Sequence, residues 1–200
     1  TGTDGKSSTS RLLASALRDG GVDALLGGNI GRSLLADEDR WRQQQVAVLE
    51  LSSFQLETTH SLQAAVATVL NVSADHMDRY RSIDDYAAAK ERVLHGAGVG
   101  VYNADDPRVA AISGADDAWY FTLGESQHDK MFGICAIAEQ AYLCRGEQPL
   151  LDVSELRMPG LHNRANALAA LAIGTALGLD LTAMLEVLGS FRGLAHRTEF

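Results

Sequence analysis

Apolar residues recur along this chain with two periods, and the periods separate helices from strands. From Ser7 to about Arg18, Leu12, Leu13, Ala16 and Leu17 fall at helical spacing, and Gly20-Gly21 ends the pattern. "VAVLEL" (46–51) and "AAVATVLNV" (64–72) are continuous apolar runs, the signature of strands buried on both faces of a parallel sheet. Between these helices and strands, "LGGNIG" (26–31) reads as a Gly-rich loop. "SIDDYAAAKERVLHGA" (82–97) reads as a helix with Asp84 and Asp85 well placed in its first turn. "VGVY" (99–102) is a short strand ended by the turn "NADDP". From about Trp119 to Leu156 the texture changes to short strand-like pieces between turns, "WYFTL", "GICAIA", "AYLCR" and "PLLDV", which predict an antiparallel meander. Two strong helical patterns close the chain, "HNRANALAALAIGTALGL" and "LTAMLEVLGSF". The expected architecture is one α/β domain: a mostly parallel sheet flanked by helices, with a small appended antiparallel sheet.

Composition narrows the function. The 200 residues are 46% hydrophobic and 22% charged, ordinary for a globular chain with a real core. The net charge of −9 argues against a nucleic-acid binder or a polybasic membrane-surface protein. It does not exclude an anionic ligand held by backbone N–H groups and a metal. No apolar run is long enough to span a membrane. Cys135 and Cys144 form no CxxC pair, and two reduced, partly buried thiols of a cytosolic protein are expected.

The chemistry concentrates in three places. The opening "TGTDGKSS" contains the second half of the P-loop pattern G-x-x-x-x-G-K-[ST], without its leading glycine and without the strand from which such a loop hangs. Gly5 permits the tight backbone, Lys6 supplies positive charge to phosphates, and Ser7 can ligate Mg²⁺. Asp4 is out of keeping, because a carboxylate beside a triphosphate is repulsive unless it turns away or faces a metal. Glu50 ends an apolar strand, where open α/β sheets place ligands, and suits a metal; a surface acid at a strand end is the plainer alternative. "LNVSADHMDRY" repeats that arrangement, with Asp75, His76 and Asp78 after a buried strand; His76 is a metal ligand or a structural histidine. By composition alone Lys90 is a solvated helical lysine. "HNRANA" (162–167) opens a helix with amides that suit a base or phosphate, or with Asn163 as a simple cap.

The ordered set "GTDGKSS", "GGNIG", "LELSSFQLE", "LNVSADHMDRY", "YAAAKERV", "NADD", "GLHNRANALAA" and "GLAHRTEF" resembles the central ATPase domain of the Mur ligases. The resemblance spans nearly the whole chain and implies a P-loop-type α/β fold. It also implies a three-domain parent in which an N-terminal domain holds a UDP-sugar and a C-terminal domain brings in an amino acid. "LELSSFQLE" and "DHMDRY" resemble the members that add D-glutamate to UDP-N-acetylmuramoyl-L-alanine. That implies a cytoplasmic, monomeric ligase of peptidoglycan synthesis, using ATP and two Mg²⁺ ions through an acyl phosphate. Carried over by position, Thr3, Asp4, Gly5, Lys6, Ser7 and Ser8 form the phosphate loop, and Asn163, Asn166 and Arg197 contact the nucleotide. Ser7, Glu50, His76 and Lys90 hold metal, Lys90 as a carbamate, and Lys6, His76 and Lys90 are the catalytic set. Asn29, Ser52 and Gln55 surround the muramoyl substrate. His162 and His196 have no assigned role. Family members commonly carry Asn at position 4. Two alternatives stand beside this reading: a nucleotide-binding module without turnover on its own, and a ligase of the folylpolyglutamate-synthetase kind.

Overall fold

The computed structural model describes residues 1–30 and 46–191. Helix α1 (Lys6–Asp19) follows the opening loop, with Leu12, Leu13, Ala16 and Leu17 on its buried side. Strands β1 (Ala24–Gly28) and β2 (Val46–Glu50) pair in parallel, Ala24 opposite Val46 and Gly28 opposite Glu50. The predicted Gly-rich loop is therefore corrected in its first half: Leu26 to Gly28 finish a strand. The glycines hide the strand from propensity, yet one is required by packing. Gly28 has φ +104°, and a Cβ there would collide with the Glu50 carbonyl.

A second sheet contains β3 (Val66–Val69), β4 (Val99–Asn103), β5 (Asp117–Phe121), β6 (Met131–Ile137), β7 (Gln140–Arg145) and β8 (Gln148–Asp152), in that order. The pairs from β3 to β6 are parallel, and β6–β7–β8 continue the sheet as antiparallel hairpins. The expected meander is corrected at its start: the strand in "WYFTL" is β5, which pairs in parallel on both sides, so only β6 to β8 run antiparallel, as a continuation of the same sheet. Residues 1–3 run along the other edge: Thr1 N donates to Thr68 O (2.9 Å) and Leu70 N to Thr1 O (2.8 Å). A cavity of about 390 Å³ separates β2 from β3.

Helices cover both faces. On one, α1 packs with α5 (Leu161–Ala176) and α6 (Leu181–Ser190) against Val101, Phe132 and Leu143. Helix α5 is buried continuously from Asn166 to Gly174, because sheet, α1 and α6 surround it. On the other face, α2 (Ser53–Glu57), α3 (Ile83–Glu91) and α4 (Pro107–Ala110) close over Leu56, Val69, Tyr86, Leu94 and Val109. The sequence patterns did not predict α2 or α4. Both are one-turn helices set by local capping, a Ser52/Gln55 capping box and an Asp106 cap followed by Pro107.

Cys135 and Cys144 form a disulfide between β6 and β7, overturning the expectation of reduced thiols. The physical reason is strand register. Cys135 faces Tyr142 and Gly133 faces Cys144, so the two cysteines are diagonal neighbours with Cα atoms 6.1 Å apart, within disulfide reach.

Candidate functional site

The loop before α1 is pinned from below by one amide. Asn71, just past β3, accepts from Thr3 N (2.9 Å) and Asp4 N (2.8 Å) and donates to Asp4 O (3.1 Å). Gly5 then takes φ +78°, where a Cβ would strike the amide of Asn166 on α5. The N-terminus of α1 has no side-chain cap and no acid in its first turn. Its first N–H groups are therefore available to an anion, with the helix dipole behind them.

Two ammonium groups converge on this loop. Lys6 Nζ donates to Gly2 O (2.9 Å) and Thr3 O (2.7 Å). Lys90 Nζ, reaching across from α3, donates to the same Gly2 O (2.9 Å), so the two cations stand within about 6 Å of each other. Lys90 is not the solvated lysine that composition suggests: its side chain is 1% exposed and its ammonium lies 4.2 Å from the centre of the Tyr86 ring. Burial first, then the charge of Lys6, lower its pKa to about 7, against the pull of Asp75 and Asp4. Much of it is free amine at neutral pH.

Glu50 is 3% exposed at the end of β2. Its Oε1 accepts from Asn29 Nδ2 at 3.4 Å, and its Oε2 is buried without a partner among the described residues. An orphaned carboxylate oxygen in an apolar sheet fits a cation. Thr1, Lys6 and Glu50 line the same cavity, and Lys90 reaches the loop carbonyl that Lys6 also holds. Loop, lysines and Glu50 therefore share one place.

His76 meets the Tyr86 ring at its edge. It is exposed with φ +55°, its Nε2 is 3.4 Å from Asp75, and its ring lies between Phe54 (4.9 Å) and Tyr86 (6.2 Å). A non-glycine residue held at positive φ marks a place where geometry overrides backbone preference. Among the described residues no three His, Cys, Asp or Glu side chains converge as a ready-made metal site. Glu50 and the loop fit a metal–phosphate pair; Lys90 lies against the Tyr86 ring and His76 meets the same ring edge-on. Ser52 and Gln55 are occupied with each other: Ser52 N and Oγ donate to Gln55 Oε1 (2.9 and 3.1 Å) and Gln55 N donates back to Ser52 Oγ (3.2 Å). They present a rigid α2 N-terminus beside Glu50.

A second cavity, about 380 Å³, opens on the other side of the loop. Asp4, Gly5 and Ser8 form one wall and Asn163 and Asn166 another, with Asn71, Asn103, Phe121 and His162 completing it. Asn166 also ties α5 to α1, accepting from Thr9 Oγ1 at 3.4 Å, and Asn163 Nδ2 donates to Pro159 O at 2.7 Å. Its polar rim and aromatic edge suit a nucleoside. Sequence reasoning missed Asn71, Asn103 and Phe121, and gave no role to His162, which lines this cavity. The available signal was an asparagine at the C-terminal end of each of two parallel strands, Asn71 after β3 and Asn103 closing β4. Arg197 and His196 lie outside the described residues.

The family described as Mur ligase middle domain matches residues 1–174. The chain is similar over its full length to UDP-N-acetylmuramoylalanine–D-glutamate ligases of Nitrosococcus oceani (46% identity, 44% of that protein) and Thiobacillus denitrificans (46%, 42%). It spans less than half the length of these curated relatives. Its fold is that of a solved UDP-N-acetylmuramoyl-L-alanyl-D-glutamate–2,6-diaminopimelate ligase (TM-score 0.83, 24% identity, 98% of this chain, 46% of that one). A pseudomurein peptide ligase type C from Methanothermus fervidus also shares it (TM-score 0.69, 20%, 99%, 50%).

Proposed function

This chain belongs to the Mur ligase family, and from that premise we propose that it is the central ATP-binding domain of a longer, cytoplasmic and monomeric ligase. That ligase adds D-glutamate to UDP-N-acetylmuramoyl-L-alanine. One observation carries the reading: Lys6 and Lys90 meet on the Gly2 carbonyl, beside an uncapped helix N-terminus and a buried, half-satisfied Glu50. The full-length identity of the relatives supports the substrate assignment, and their greater length supports the flanking UDP-substrate and amino-acid domains. In the longer protein, a strand leading into the loop would pair with the edges of β2 and β3 across the cavity between them.

The chemistry asks for charge neutralisation. A carboxylate must attack the terminal phosphorus of ATP, with the bond to the bridging oxygen breaking and ADP leaving. The D-glutamate amine then attacks the carbonyl carbon of the acyl phosphate, phosphate departs with the bonding pair, and the amine loses a proton. The first step brings two anions together. The α1 N–H groups and Lys6 hold the phosphates and offset charge developing on the transferred group. The nucleoside sits in the Asn163/Asn166 cavity, and Arg197 contacts the phosphates. Asn29, Ser52 and Gln55 orient the muramoyl end. Glu50, Ser7, His76 and a carbamylated Lys90 would hold two Mg²⁺, whose contribution is to neutralise the approaching anions. Lys90 suits carbamylation because a free amine is the form that adds CO₂. Taken alone, the chain binds nucleotide without turnover, since reaction requires all three reactants in near-attack geometry.

The test is phosphate release by the full-length protein with ATP, UDP-N-acetylmuramoyl-L-alanine and D-glutamate. Release that requires both acceptor and D-glutamate is expected. Release with L-glutamate alone would overturn the stereochemical assignment, and release only with a folate acceptor would move the protein to the folylpolyglutamate class.

A further inference from the structure

Asp4 is an acid in a loop shaped for phosphate, and its backbone is fixed in place. Its backbone is held at both ends of the peptide by Asn71, which accepts from Asp4 N at 2.8 Å and donates to Asp4 O at 3.1 Å. The following residue, Gly5, is fixed against Asn166. The side chain is exposed, lines the cavity shared with Asn163 and Asn166, and has no ion-pair partner among the described residues. Its negative charge is felt at Lys90 and Tyr86, on the other side of the loop. Asp4 thus lines the nucleoside cavity on the same loop whose Gly2 carbonyl the two lysines hold.

We infer that Asp4 makes this site discriminate between metal-complexed and metal-free nucleotide. The inference rests on the proposed nucleotide site. Repulsion scales with the ligand's charge. A free nucleoside diphosphate carries about two charges more than its complex with a divalent cation, so the penalty falls mainly on the uncomplexed form. Lys6 and the α1 N–H groups attract either form, so without Asp4 the loop would hold free nucleotide well. Asp4 removes that option and ties binding to arrival of the metal.

The experiment is calorimetric titration of the full-length protein with ADP, once with Mg²⁺ and once with EDTA. For Asp4→Asn, affinity for metal-free ADP should tighten roughly tenfold at low ionic strength, while affinity for Mg²⁺-ADP moves less than about threefold. The difference should shrink as KCl is raised, because the charge is exposed. Asp4→Glu, which keeps the charge, should behave as wild type. Equal tightening in both arms, or none, would overturn the inference while leaving the nucleotide site intact. Failure of wild type and Asp4→Asn alike to bind ADP in either arm would remove the proposed function itself, and this inference with it.

Discussion

The parallel and antiparallel halves of the molecule were built for different ends. Strands β1 to β4 deliver one side of the candidate site from their C-terminal ends, Asn29 after β1, Glu50 closing β2, Asn71 after β3 and Asn103 closing β4, while α1, α3 and α5 supply Lys6, Lys90 and Asn166. Parallel strands need crossover connections, so their C-terminal loops gather on one edge, where a ligand can meet several at once. Strands β6 to β8 contribute no candidate site residue. Their turns alternate between edges, and what they carry is structural: the Cys135–Cys144 disulfide, and Arg145 lying 5.1 Å over the Trp119 ring. Chemistry should therefore fail when the parallel edge is altered, and stability should fail first when the hairpins are.

Lys6→Ala offers the severest test. It removes the cation nearest the loop and should lower ATP-dependent turnover of the full-length protein by about a thousandfold or more. Retention of a tenth of the wild-type rate would mean that the loop does no phosphate chemistry. Lys90→Ala comes next, with an expected loss of about a hundredfold or more, the scale of a lost charge at a reacting centre. Partial recovery on adding a short carboxylic acid would mark the missing group as a carbamate. Unimpaired turnover would return Lys90 to a packing role. Gly5→Ala should follow with a smaller effect. It forces a Cβ into Asn166 at a φ that L-residues avoid, costing about 1–2 kcal/mol and roughly a tenfold loss of nucleotide affinity. Unchanged affinity would separate the loop from the nucleoside cavity.

The same division explains what could be read from sequence. Helices α1, α5 and α6 were legible from long helical patterns of apolar residues, and strands β2 and β3 from short continuous apolar runs, because burial demands them. Strand β1 was not. Its glycines carry no pattern, and its identity comes from pairing with β2, a tertiary fact. In the site, Lys6 was legible from the loop around it. Lys90 was not legible from its own segment, since "AAAKERV" is equally good as a wet helix; only the fold shows that α3 aims it at Gly2. The family resemblance alone singled it out. Asn71 reads as part of an apolar strand and Asn103 as a turn residue, because the amide network that gives them a role is made by residues far away in sequence. The cysteines failed for the same reason: a separation of nine residues says nothing until the hairpin register places them diagonally.

The smallest functional effect is expected where the hairpin is stapled. Opening Cys135–Cys144 enlarges the unfolded ensemble and should cost about 2–3 kcal/mol for a loop of this length, if chain entropy governs. Cys144 is wholly buried, so replacing it with Ser adds a desolvated hydroxyl to that cost. Reduction of the wild type separates the two terms, because it breaks the bond and leaves sulfur in place. A reductant should lower the melting midpoint of the wild type and leave that of a Cys135→Ser/Cys144→Ser protein where it is. ATP-dependent turnover at 25 °C should be the same for oxidised, reduced and double-Ser proteins, since the six registered β6–β7 pairs survive and none reaches the loop. A turnover loss on reduction that exceeds the unfolded fraction would show the hairpin acting on the parallel edge, and the separation of the two halves would fall.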